Sequence, residues 1–232
     1  MAEKAEGSLS SKLIATLSRY RKPLTWGLGI FVVALIATFG YLEIQQRRSE
    51  AALARIEEAE ELYESWVDAL ESEDDELSED LRTQTEEALQ DVLRRYPRKY
   101  AANRALFLQG QILWELGDWS AAAESFRSTA DSFPESHLAS VSLYNAATAF
   151  EEAGNLEGAV DSLDRLVEEF DGEPTPLVPQ AIFSLGRIAE NQEDFSQANQ
   201  HYQQLVADHP GSSWTSLARS RIILLTAEGR IN

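Results

Sequence analysis

Residues 105–136 read ALFLQGQILWELGDWSAAAESFRSTADSFPES, and residues 181–212 read AIFSLGRIAENQEDFSQANQHYQQLVADHPGS. The two stretches overlay at a shift of 76 residues, from 105 to 181. Ala105, Phe107, Gly110, Ile112, Asp118, Ser120, Ala122, Pro134 and Ser136 meet Ala181, Phe183, Gly186, Ile188, Asp194, Ser196, Ala198, Pro210 and Ser212. Trp119 faces Phe195, and Phe126 faces Tyr202. Between them lies a weaker copy, in which Gly154-Asn155-Leu156 and Ala159 match Gly117-Asp118-Trp119 and Ala122. The chain therefore repeats a unit of about 37–39 residues three times, the mark of an array in which each unit buries its core against its neighbours.

Each unit reads as two helices. Ala105, Leu106, Leu108, Ile112 and Leu113 give a helical apolar pattern that stops at Leu116-Gly117-Asp118. Glycine there tolerates positive φ, and aspartate caps the helix that follows. The second helix carries Ala122, Phe126 and Ala130 and ends before Phe133-Pro134, because proline cannot continue a helix. Gly110 with Ala122, and Gly186 with Ala198, are the small residues expected where antiparallel helices approach closely.

The array extends on both sides. Leu81 to Tyr96, followed by Pro97, has the pattern of a second helix, and Leu53, Ile56, Ala59, Tyr63, Trp66, Val67 and Leu70 form the stripe of its partner. ESEDDELSED (71–80) is expected to be the loop between them. Glu57, Glu58, Glu60, Glu61, Glu64 and Asp68 fall on the polar face of that first helix, where a solvated surface is expected. Trp214, Leu217, Ala218, Ile222 and Leu225 form a last helix, expected to cap the array.

The repeat resembles the tetratricopeptide repeat. That family's small residue at position 8, Ala at 20, aromatic at 24 and Pro at 32 are met by Gly110, Ala122, Phe126 and Pro134, and again by Gly186, Ala198, Tyr202 and Pro210. The middle copy fits at Ala147, Ala159 and Leu163 but has Asp171 in place of the proline, followed by an irregular linker GEPTPLVP (172–179). The resemblance implies an all-α solenoid whose first helices line a peptide-binding groove. Carried over residue by residue, it points to Arg104, Phe107, Gln111, Trp114 and Glu115, then Val141, Tyr144, Thr148, Glu151 and Glu152, then Gln180, Phe183, Arg187, Glu190 and Asn191. Of these, Arg104, Phe107, Gln111, Trp114, Tyr144, Thr148, Phe183 and Arg187 are the expected protein-binding groove. Position 5 is aromatic in all three units (Phe107, Tyr144, Phe183). The rings either form a ladder for an extended or helical partner or pack between adjacent helices.

Upstream, residues 24–42 read LTWGLGIFVVALIATFGYL, 19 positions without a charge. About 20 apolar residues at 1.5 Å rise each span a bilayer core. Trp26 and Tyr41 stand near the two ends, where amphipathic rings favour the interface. Lys12, Arg19, Arg21 and Lys22 precede the segment, and Arg47, Arg48 and Arg55 follow it, a bias that favours a cytoplasmic N-terminus. A cleaved signal peptide is the competing reading. The run is longer than a usual signal core, and ATFGYLEIQQRR (37–48) holds no Ala-x-Ala site, so an uncleaved anchor is expected. Gly27, Gly29, Ala34, Ala37 and Gly40 are small but form no GxxxG. The expected division is a basic tail (1–23), a transmembrane helix (24–42), a stalk and degenerate first pair (43–99), three repeats (100–136, 137–173, 176–212) and a capping helix (213–232).

Charge and residue inventory narrow the function. Residues 1–42 hold five basic and two acidic residues, a net +3, while residues 43–232 hold 15 and 37, a net −22. A domain that acidic is unsuited to neutralising phosphates, so nucleic acid is not an expected partner. The chain has no cysteine, which removes thiol chemistry, disulfides and a lipidated N-terminal cysteine together. His137, His201 and His209 form no HExxH or i, i+4 pair, and there is no phosphate-cradling loop or nucleophile motif. No catalytic, cofactor or metal site is expected.

The layout of short tail, one membrane helix and acidic repeats resembles the ancillary subunit of the bacterial Sec translocon (the YfgM-like family). That resemblance implies an extracytoplasmic, in a diderm periplasmic, scaffold at the inner membrane that contacts emerging polypeptides and passes them to chaperones. FPESHLASVSLYNAA (133–147) and HPGSSWTSLA (209–218) also resemble junctions in envelope factors such as the Tol-associated division coordinator and the outer-membrane assembly lipoprotein. A structural or regulatory subunit of a membrane complex, acting through the membrane helix and stalk, is the alternative.

Overall fold

A computed structural model of the chain describes the backbone of residues 3–172 and 175–231, with side chains from Thr25 onward. The side chains of Lys12, Arg19, Arg21 and Lys22, on which the expected orientation rests, lie outside the described residues. Among the described residues every regular element is an α-helix: α1 Glu3–Glu71, α2 Asp75–Arg95, α3 Tyr100–Glu115, α4 Trp119–Ser132, α5 His137–Glu152, α6 Leu156–Phe170, α7 Leu177–Asn191, α8 Phe195–Asp208 and α9 Ser213–Ala227. The chain divides into two compact units, residues 1–51 and 52–232.

In the first unit, α1 from Thr25 onward is long and apolar enough to cross a membrane, and no part of its apolar window is buried. Trp26, Ile36 and Phe39 are exposed. Within this run the Thr38 hydroxyl is satisfied by its own helix, Oγ1 donating to the Ala34 carbonyl at 2.8 Å.

The second unit begins with the last five turns or so of α1, and its helices pair antiparallel in chain order. One turn design recurs inside each pair. The residue two before the second helix takes positive φ: Glu73 (57°), Gly117 (72°), Gly154 (73°) and Glu193 (62°). The next residue then caps the helix with its side chain. Asp74 accepts from the Leu77 amide, Asp118 from Ala121, Asn155 from Gly158 and Asp194 from Gln197. Each cap satisfies one of the orphan amides of a helix start. Between pairs the device changes, with Ser136 and Ser212 capping α5 and α9.

Two sequence expectations change at the ends of elements. The acidic run 71–80 is not a loop. Only residues 72–74 leave the helices, and α2 starts at Asp75. Asp75 and Glu76 occupy its first turn, where the helix dipole favours negative charge, so the acidity marks a helix start. Likewise the linker 172–179 is shorter than its composition suggests, because α7 already begins at Leu177. Pro179 sits at its third residue, where the missing amide has no intrahelical partner in any case.

The core follows one rule. The aromatic or leucine of the second helix lies on the smallest residue of the first. A Cβ built on Gly110 would come within 2.7 Å of the Phe126 ring, and one on Gly186 within 2.5 Å of the Tyr202 ring. In the middle pair these two places are held by Ala147 and Leu163, a larger residue facing a smaller one. Phe126 and Tyr202 are buried along with Leu143, Leu163, Leu166, Ile182 and Leu205 in one continuous core. A second core joins α1 and α2 to α3 through Ile56, Trp66, Leu89, Val92 and Ile112. The last helix differs from a polar cap, since Leu217, Ile223 and Leu224 are exposed on α9.

Gly186→Ala is expected to destabilise the chain by about 1–3 kcal/mol, the scale of overpacking. In a Tyr202→Leu background, which imitates the middle pair, the same change should cost clearly less. Urea unfolding followed by circular dichroism measures both, and equal losses would show that the ring does not exclude the Cβ.

Candidate functional site: a row of first helices

Successive first helices touch one another directly: α3 with α5, α5 with α7, and α7 with α9. The side chains that face across these seams are those at repeat positions 2, 5, 9 and 12, and they form cross-links between repeats. Arg104 of α3 pairs with Glu60 of α1. Gln180 Nε2 of α7 donates to the Tyr144 hydroxyl of α5 at 2.6 Å. One nitrogen of Arg187 donates to both carboxylate oxygens of Glu151, at 2.8 and 2.6 Å. Arg221 of α9 pairs with Glu190 of α7, its Nε donating at 3.1 Å. The Tyr202 hydroxyl also donates to Glu190, at 2.9 Å, so a residue of the core is tied to this surface.

Burial marks the same groups electrically. Desolvation raises the Glu60 carboxyl above its usual range, with Arg104 pulling the other way. Burial pushes the Tyr202 phenol up to about 12, opposed by Arg187. Tyr63 is raised by burial and then by the charge of Glu115. On the second helices, burial lowers His201 and raises Asp164, and each opposes the other's shift.

Two clefts open along the row. The larger, about 350 Å³, lies at the α3–α5 seam and is lined by Gln111, Trp114, Glu115, Phe126, Tyr144, Asn145 and Thr148. The smaller, about 100 Å³, lies at the α5–α7 seam, lined by Tyr144, Ala147, Thr148, Glu151, Leu163, Ser184 and Arg187. Tyr144 and Thr148 line both.

Five of the eight groove residues expected from sequence therefore come together: Gln111, Trp114, Tyr144, Thr148 and Arg187. The other three are engaged by other side chains. Arg104 is engaged by Glu60 and lies over the Tyr100 ring at 5.9 Å. Phe107 packs on Phe126, ring centroids 5.4 Å apart. Phe183 packs on both Tyr202 (5.5 Å) and Trp214 (5.3 Å). Of the three position-5 rings, only Tyr144 lines the clefts.

Sequence reasoning missed four participants. Glu60 belongs to the cross-link ladder and not to the solvated face, its side chain being 24% exposed. Asn145 lines the larger cleft, while Trp214 and Arg221 complete the last seam. Only the apolar pattern of the last helix offered a signal, with Trp214 among its hydrophobic positions.

Comparison with known proteins agrees with this geometry. The family model described as tetratricopeptide repeat matches residues 83–137 and 144–213, more than half of the chain. A "TPR repeat-containing protein" of Treponema pallidum (strain Nichols) is 32% identical over 120 residues, 51% of this chain and 48% of the relative. The matched stretch thus spans about half the length of that relative. Among solved structures, the crystal structure of BtubC (BKLC) from P. vanneervenii superposes with a TM-score of 0.51 at 19% identity, covering 80% of this chain and 84% of that one, a likeness of fold. Together with the ring-on-glycine pairs and the seam-facing first helices, the family match establishes that this chain belongs to the tetratricopeptide repeat family and carries a protein-interaction scaffold.

Proposed function

We propose that the protein is a non-catalytic, membrane-anchored scaffold that holds secreted or envelope polypeptides near the translocon, through the clefts along its first-helix row. One observation carries the binding half of this reading. The cleft at the α3–α5 seam presents Trp114, Tyr144, Gln111 and Thr148 on rigid helices, a mixture of aromatic surface and hydrogen-bonding groups suited to a peptide. The membrane half rests on the apolar, wholly exposed run in α1 and on the basic residues before it. With the N-terminus in the cytoplasm, the acidic repeats lie on the far side of the inner membrane.

A second reading has its own support. Gly27, Gly29 and Gly40 have open space where a Cβ would stand, so another membrane helix can approach closely there. On that reading the protein is a structural subunit of a membrane complex, held through α1.

Photocrosslinking separates the two. A photoreactive amino acid at Thr148 or Gln111 should capture protein partners in intact cells, whereas one at the exposed second-helix residue Gln200 should not. Partners captured only from positions in 25–42 would replace the groove reading with the second.

Orientation is tested by single cysteines, introduced without interference because the chain has none of its own. In spheroplasts, Gln200→Cys should react with a membrane-impermeant maleimide, and Ser8→Cys only after lysis. The reverse pattern would put the repeats in the cytoplasm and remove the role with secreted proteins.

A further inference from the structure

The seams of the array are not equivalent. At α5–α7, position 12 is Glu151 and position 9 of the next repeat is Arg187, and the two are bonded through both carboxylate oxygens. At α7–α9 position 12 is Glu190, bonded again by an arginine of the next helix, Arg221, the counterpart of Asn145 at the 76-residue shift. At α3–α5 positions 12 and 9 are Trp114 and Thr148. This is the seam that holds the 350 Å³ cleft.

What surrounds that space favours a cation. Glu115, one residue beyond Trp114, lines the cleft, is exposed, and makes no ion pair among the described residues. It is also the last residue of α3, so the negative end of the helix dipole lies at the same place. The rings of Trp114 and Tyr144 line the space with π surface, on which a guanidinium stacks readily, and the buried Phe126 closes the wall behind them. Trp114 is held edge-on by Trp119, ring centroids 4.8 Å apart, so its face is fixed before anything binds. Gln111, Asn145 and Thr148 add hydrogen-bonding groups at the rim. Finally, the net −22 of residues 43–232 draws cationic segments toward the surface.

We propose that the α3–α5 cleft binds an arginine side chain of a partner polypeptide, which stacks on Trp114 and pairs with Glu115 in the place that Arg187 and Arg221 fill in the following seams. The partner thereby completes the one seam of the three that the chain leaves open. This rests on the groove reading above and adds to it the residue that the groove selects.

The test uses the full chain in lipid nanodiscs, with 5-fluorotryptophan incorporated and the Trp114 resonance assigned by Trp114→Phe. The probe is a blocked alanine-serine heptapeptide whose one charge is a central arginine. It should shift the Trp114 signal saturably, and salt should weaken it. Replacing that arginine by citrulline, a neutral near-isostere, should lower affinity about tenfold or more, the scale of losing hydrogen bonds to a charged partner. Glu115→Gln should lose the same factor for the arginine peptide and little for the citrulline one. It leaves the fold intact, which an unchanged unfolding curve checks. Equal affinity of the two peptides, or no effect of Glu115→Gln, would overturn the proposal. So would free arginine binding as tightly as the peptide, since the site would then serve a small cation. None of these results touches the groove reading, which stands or falls on crosslinking from Thr148.

Discussion

The contact between the Tyr202 ring and Gly186 organises more of this molecule than its size suggests. Glycine at that position lets the ring lie against the backbone of α7, and the ring's depth fixes where its hydroxyl emerges. It emerges at Glu190, which it holds by a 2.9 Å hydrogen bond, and Glu190 in turn takes Arg221 of the next helix. A core contact within one pair thus sets the polar link to its neighbour. Where the second-helix aromatic is Phe126 this relay has no hydroxyl to start from, and where position 12 is Trp114 it has no carboxylate to receive one. The open cleft lies there, with Phe126 as part of its wall. The site is an interruption of the pattern that builds the rest of the row.

The cross-links themselves contribute little to stability. Their side chains remain between about an eighth and two fifths exposed, and such pairs are worth about 0–1 kcal/mol each. The buried rings and leucines carry the free energy. What the ladder adds is register, because a first helix that slides past its neighbour separates Glu151 from Arg187 and Glu190 from Arg221 together. Losing one rung at α3–α5 is therefore tolerable. Phe107 on Phe126 and Trp114 on Trp119 hold the α3–α4 pair together without it.

Most of the fold was legible in the sequence because its signals are local. A glycine at positive φ followed by a capping Asp or Asn, and a proline after each outer second helix, mark boundaries by the conformations those residues permit. Where the local signal weakened, so did the reading. Glu73 and Glu193 adopt positive φ without being glycine, and the acids at 71–80 resemble a loop although half of them open a helix. The site was less legible, because its geometry depends on partners far along the chain. Glu60 looks like any other acid on a polar helix face until Arg104, 44 residues on, reaches it. The aromatic at position 5 recurs in all three units, yet its surroundings depend on the first helix of the next unit. Trp214 packs on Phe183, while Gln180 takes only the hydroxyl of Tyr144 and leaves its ring in the cleft.

The same dependence explains why an array of near-identical units has one distinct seam. Positions 8, 20 and 24 are constrained within a pair, since any change there meets a ring or a helix backbone. Positions 9 and 12 are constrained only between pairs, across a half-exposed boundary where losing a salt bridge costs little. Substitution at these positions can therefore exchange a weak internal contact for a binding surface while the core is untouched. Trp114 and Thr148 stand at two such positions, where the following seam has Glu151 and Arg187 in contact.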